Sequence, residues 1–261
     1  TEGEVVLSDS TSVNIFKLCA ALMKQSGRRK YVLMEKDNFP TDGYILEGII
    51  DLLGRDHELQ IVPRAEIESA LTKNTALALL THVNYRTGDM FDMADLTRSC
   101  RSVGVPVVWD LCHSTGAVPL QLNDWDVDYA VGCTYKFLNG GPGSTSYAYI
   151  SRSALEGFSP VITGWFSHAN QFAFEEEYRE ADSINKIQVG TPQVLSLRGA
   201  FNGIMSYTDV SMENVRDKSL KLSSLFIELA EERLSHHGFE LASPRDAKKR
   251  GSQISFYHDE G

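Results

Sequence analysis

Between Ser12 and Gln25 the apolar residues Val13, Phe16, Leu18, Ala21 and Leu22 recur near helical spacing, and Gly27 closes the run. Shorter, denser apolar runs follow, each paired with a longer amphipathic stretch. Tyr31–Met34 predicts a strand and Gly43–Leu53 a helix; Leu59–Val62 predicts a second strand, followed by a helix from Arg64 to Leu71. Ala76–Leu80 reads as an apolar strand ending at Thr81 and His82, Met93–Val103 as a helix, and Val105–Trp109 as a buried strand ending at Asp110. Asp128–Val131 and Ser146–Ile150 predict two more strands. Strands separated by helices at this spacing pair in parallel, and near-continuous apolar strands belong to a sheet covered on both faces. The expected fold class is therefore α/β, a mostly parallel sheet flanked by helices. Ligands bind beyond the carboxyl ends of such strands. That rule directs attention to Thr81 and His82, to Asp110–His113, and to Thr134, Tyr135 and Lys136.

After Ile150 the pattern changes. Phe158–Glu180 is irregular, aromatic and acidic, and reads as a long functional loop. Two amphipathic helices are expected over Gln193–Tyr207 and Met212–Leu234, then a fragment of a small α/β unit at Phe239–Leu241 and Gln253–Tyr257. No internal repeat or low-complexity linker interrupts the chain.

Composition narrows the functional classes. The 261 residues carry a net charge of −10, and an acidic chain without a basic stripe argues against nucleic acid and anionic membrane as partners. No run of 18 apolar residues and no positive-then-apolar leader is seen, so a cytoplasmic protein is expected. Cys19, Cys100, Cys112 and Cys133 form no CxxC pair, which disfavours zinc and suits reduced cytosolic thiols. Glu175–Glu177 reads as a solvated acidic loop, and His236 and His237 as surface residues without metal-ligand companions. Cys112 and Cys133 read as pocket-wall residues rather than a catalytic thiol.

Asp110 and Lys136 carry the chemistry. Each follows its own strand, and a carboxylate and a lysine at neighbouring strand ends are what pyridoxal 5'-phosphate (PLP) needs: a Schiff-base amine and a partner for the pyridinium nitrogen. Taken singly, the bland readings are an N-cap Asp, a structural His113 and a surface lysine. The glycine-rich run Gly140–Gly143 lacks the phosphate-loop pattern GxxxxGK[ST].

The wording around these residues, Asp110-Leu-Cys-His-Ser-Thr-Gly-Ala-Val-Pro119 and Ala130-Val-Gly-Cys-Thr-Tyr-Lys-Phe-Leu-Asn-Gly-Gly-Pro-Gly143, resembles the kynureninase family, PLP enzymes of the aspartate aminotransferase fold (type I). Further blocks in the family's order are Asp9–Asn14, Asp37–Asp42, His82–Gly88, Gly164-Trp165 and Gly190–Pro192. The resemblance implies a PLP-binding large domain over 1–195, and over 196–261 connecting helices and an incomplete small C-terminal domain. Lys136 would hold the cofactor covalently, Asp110 would bind the pyridine nitrogen with His113 nearby, and Phe39 would stack on the ring. Pro40, Thr41 and Asp42 share that shell, and Thr81 would contact the cofactor. Thr11 and Ser12 would hold the phosphate at a helix start, with Tyr135 and Trp165 as further donors and Thr191 at phosphate or substrate. The bland alternatives are an N-cap Ser12, core aromatics at Phe39 and Trp165, and a Thr191 that merely precedes Pro192.

The activity implied is hydrolysis of L-kynurenine or its 3-hydroxy derivative to an anthranilate and L-alanine, by a homodimer, in tryptophan catabolism and pyridine nucleotide biosynthesis. Lys136, Tyr135 and Asp110 are the expected catalytic residues. The alternatives are a cysteine desulfurase or aminotransferase of the same fold, or an incomplete copy without turnover. Family members extend at both ends and carry a C-terminal arginine for the substrate carboxylate; that role is not moved onto Arg86, the arginine within a matched block.

Overall fold

A computed structural model describes residues 2–54 and 56–260. In chain order the elements are β1 (Val5–Leu7), α1 (Thr11–Gln25), β2 (Tyr31–Glu35), α2 (Pro40–Leu53), β3 (Glu58–Val62), α3 (Ile67–Ala70), β4 (Thr75–Thr81) and α4 (Met93–Ser102). They continue with β5 (Val107–Asp110), β6 (Tyr129–Cys133), β7 (Ser146–Ile150), α5 (Arg152–Leu155), α6 (Val194–Met205), α7 (Met212–Leu234), β8 (Phe239–Leu241) and β9 (Phe256–His258). Seven strands form one sheet in the order β1-β7-β6-β5-β4-β2-β3, with β8 and β9 as a separate antiparallel pair. Strands β2 to β6 pair in parallel; β7 runs antiparallel to both β6 and β1.

The strands alternate sides, and this sorts their apolar residues into two cores. Val32, Met34, Leu77, Leu79, Val108 and Val131 face Leu18, Leu22, Leu46 and Ile49 of α1 and α2. Leu33, Ala78, Leu80, Val107, Trp109 and Ala130 face Ile67, Leu96 and Cys100 of α3 and α4. Two covered faces explain why the strands read as apolar runs rather than alternating ones.

Differences from the sequence-based expectation have local causes. The helix expected from Gly43 begins at Pro40, a residue favoured in the first helical turn because its missing N–H is not needed there. The helix expected over Arg64–Leu71 splits into a 3-10 turn at Arg64–Glu66 and the single turn α3. The short strand β1 was not expected; three edge residues, of which only Val6 is buried, carry no periodicity to read. The long stretch after α5 is indeed irregular, with 3-10 turns at Trp165–Ser167 and Ile184–Ile187.

Candidate active site

Strand register brings the chemistry together. Thr81 at the end of β4 lies opposite Asp110 at the end of β5, and Asp110 lies opposite Val131 in β6. By the same alternation Thr81 follows Leu77 and Leu79, and Asp110 follows Val108, so both project toward the α1–α2 side. Beyond β6 the chain turns and presents Tyr135 and Lys136, and the following loop is gripped by α6. A Cβ on Gly203 would stand 2.3 Å from the Leu138 carbonyl oxygen, so only glycine lets the helix approach this closely. These side chains line one cavity of 520 Å³.

The start of α1 closes one end of that cavity. Ser10 is its N-cap, accepting from the Val13 N–H, which places Thr11 and Ser12 in the first turn with N–H groups that have no acceptor inside the helix. The Thr11 hydroxyl pairs with Ser146 Oγ at 2.9 Å, across to β7. The turn is anchored from beneath by Lys17, a buried cation bound to Asp9 Oδ2 at 2.5 Å and to the Ile187 carbonyl at 2.7 Å.

The other end holds the titratable groups. Asp110 accepts from the Cys112 N–H at 2.7 Å, and burial raises its carboxyl above the ordinary range. Burial also pushes Asp42 up to about 8, the Asp110 carboxylate adding to the rise while Asn38 and Lys136 pull it down. Lys136 Nζ lies 3.2 Å from His113 Nε2, and burial, helped by that amine, lowers His113 to about 4. His113 is therefore a neutral imidazole at pH 7. Burial lifts Tyr135 to about 12, so its phenol keeps its proton. The Cys112 thiol, which the Cys133 sulfur and burial hold protonated, lines the wall.

Of the expected residues, Thr11, Ser12, Phe39, Thr41, Asp42, Thr81, Asp110, His113, Tyr135 and Lys136 all line this cavity. Phe39 is 46% exposed and meets Tyr85 edge to face at 5.3 Å, so it is a cavity aromatic and not a core one. Three residues stand apart. Pro40 is exposed at the first position of α2. Thr191 lines a neighbouring crevice with Asp9, Thr145 and Gln188. Trp165 packs against Phe166 and Phe172 in the irregular segment, 42% exposed. The cavity also includes Tyr85, Ser144, Ser146 and Gln193, and Asn38 backs its wall; the strand-end rule, applied after β2, would have pointed to Asn38.

The residues present fit PLP. Unpaired helix N–H groups and hydroxyls at one end suit a phosphate, while a buried carboxyl and an amine at the other suit a pyridine nitrogen and an aldehyde. Among the described residues no group of three His, Cys, Asp or Glu side chains could hold a metal ion, and no helix is long and apolar enough to cross a membrane.

The aminotransferase class-V family profile matches residues 50–261. A kynureninase from Pseudomonas fluorescens is 42% identical over all of this chain, which spans 64% of that relative's length. Among solved structures, a cysteine desulfurase from Thermococcus onnurineus superposes with a TM-score of 0.82 at 17% identity, covering 98% of this chain and 64% of that one. A C-DES variant with glycine covalently linked to its PLP cofactor superposes with a TM-score of 0.82 at 18% identity, covering 98% and 68%. At these identities the superpositions speak for the fold.

Proposed function

Because the chain belongs to the aminotransferase class-V family, we propose that it serves PLP-dependent hydrolysis of L-kynurenine or 3-hydroxy-L-kynurenine to the corresponding anthranilate and L-alanine. One observation carries the reading: Lys136 and Asp110 line a single cavity whose far end is the open start of α1. The likeness to the P. fluorescens kynureninase over the whole chain points to the substrate class.

When bound, PLP supplies an aldehyde for the substrate amine and a ring that delocalises charge from the α-carbon. Thr11, Ser12 and the first N–H groups of α1 hold the phosphate, aided by the positive end of the helix dipole. Asp110 keeps a proton on the ring nitrogen, and Asp42 stands beside it. Lys136, whose amine would hold the cofactor aldehyde, would also be placed to take the proton from the substrate α-carbon and to return one at the neighbouring position. Neutral His113 accepts a hydrogen bond from the Lys136 amine and so orients it. Tyr135, which keeps its proton, is the donor toward the hydrated γ-ketone and the departing β-carbon. Phe39 would stack on the ring, with Thr81 in contact with the cofactor.

Trp165 and Thr191 fall outside this cavity, and a homodimer in which they face the partner's cavity keeps Trp165 as a phosphate donor and Thr191 at phosphate or substrate. A cytoplasmic setting, tryptophan catabolism and pyridine nucleotide supply follow from the same reading. A desulfurase is disfavoured by its need for an accessible thiolate, since Cys19, Cys100, Cys112 and Cys133 are all buried.

The test is direct. Adding PLP should give a yellow protein whose visible band disappears in Lys136→Ala, and adding kynurenine should release fluorescent anthranilate. A yellow protein that turns over cysteine but releases no anthranilate from either kynurenine would remove the assigned substrate.

A further inference from the structure

Asn38 lies three residues beyond β2, is 6% exposed, and directs both ends of its amide at the cavity wall. Its Oδ1 accepts from the Phe39 N–H at 2.7 Å and from the Thr81 hydroxyl at 2.5 Å, and its Nδ2 donates to Asp42 Oδ2 at 3.1 Å. A backbone N–H can only donate, so the amide oxygen must face Phe39 and the amide nitrogen must face Asp42. The flip that leaves many asparagine orientations open is closed here. Thr81, giving its proton to Asn38, turns only lone pairs toward the cavity.

We infer that Asn38 is a positioning residue: through one amide it fixes the donor–acceptor polarity of Phe39, Asp42 and Thr81 on the wall that receives the ring. The inference rests on the PLP reading of the cavity and adds to it a residue that touches neither cofactor nor substrate. The charged groups acting on Asp42 are the Asp110 carboxyl from β5, which raises it, and the Lys136 amine beyond β6, which lowers it. Beside them Asn38 supplies the hydrogen bond that favours the carboxylate.

Carboxyl carbon-13 NMR of aspartate-labelled protein, with the Asp42 signal assigned by Asp42→Asn, follows this group with or without cofactor. Asn38→Ala and the closely sized Asn38→Leu both remove the donor without adding a charge and should raise the Asp42 midpoint by about one pH unit. Asn38→Leu keeps the side-chain volume, so it reports even where Asn38→Ala fails to fold. Combining Asn38→Asp with Asp42→Asn reverses the pair and should recover the roughly tenfold cofactor affinity lost in Asn38→Asp alone. An Asp42 midpoint unmoved in Asn38→Leu, whatever the melting temperature does, shows that Asn38 only fills space and overturns the inference. A parent protein without a visible band on adding PLP would remove the cofactor reading alone, since the carboxyl titration still decides on Asn38.

Discussion

Helices α1 and α7 put the two halves of the molecule side by side. In α1, nine of 15 residues are buried, Ile15 to Met23 almost without a break, and its first turn forms one end of the cavity. In α7, three of 23 residues are buried, and Leu222, Leu225 and Phe226 are each more than half exposed. A helix wedged against a parallel sheet has its end held to within the play of a packed core. A helix lying along the surface has no such constraint. The cavity is built on the first kind of support, and preorganised groups held by rigid elements are what catalysis at a fixed atom requires.

The comparison can be broken most forcefully at the cavity itself. Lys136→Ala should abolish the visible band and lower turnover by about 10³-fold or more, while leaving the fold intact, because the side chain is only half-buried. Residual turnover near the parent level would mean that the cavity is not the active site. Next come the two helices. Leu18→Ala, at a position with no exposure, should cost about 2–5 kcal/mol in urea unfolding, whereas Leu225→Ala on α7 should stay within about 0.5 kcal/mol. Equal costs would show that α7 is packed as tightly as α1.

Tyr135→Phe should slow carbon–carbon cleavage by about 10–100-fold without loss of the visible band, as measured by single-turnover absorbance. The smallest effect is on stability against pH in the cofactor-free protein. Asp42 sits at about 8, above its ordinary 3.8, so the stability it contributes is complete below pH 3.8 and is lost as pH rises toward 8. His113 acts in the opposite sense: lowered to about 4 from 6.5, it contributes fully above pH 6.5 and loses that contribution as pH falls toward 4. Asp42→Asn should remove the loss of melting temperature that this carboxyl contributes between pH 3.8 and about 8, and His113→Gln should remove the loss that the imidazole contributes as pH falls from 6.5 toward about 4. An unchanged profile in Asp42→Asn would mean that the carboxyl is ionised in the folded protein at neutral pH.

Much of this architecture was legible in the chain. Strands β2 to β7 and the helices α1, α4, α6 and α7 fall where the apolar periodicity puts them, within a few residues at each end. Asp110 and Lys136 stood out because each follows an apolar strand. Less legible were features that depend on a partner far along the chain. Thr11 meets Ser146 across 135 residues, and Thr81 meets Asn38 across 43, and no local pattern announces either pairing. The edge strand β1 takes its form from β7, not from its own three residues.

The order of strands and helices, the apolar faces, and the placement of an acid and a lysine at strand ends were fixed by the amino-acid sequence alone, because periods of two and 3.6 residues are properties of the local chain. Folding in three dimensions decided which of the candidate residues share a cavity. It set Asp42 beside Asp110 and raised its carboxyl, closed the cavity with the start of α1, and left Trp165 outside. Such outcomes turn on burial and on charges brought together from distant segments, and desolvation and Coulomb energy depend on distance in space rather than on separation along the chain.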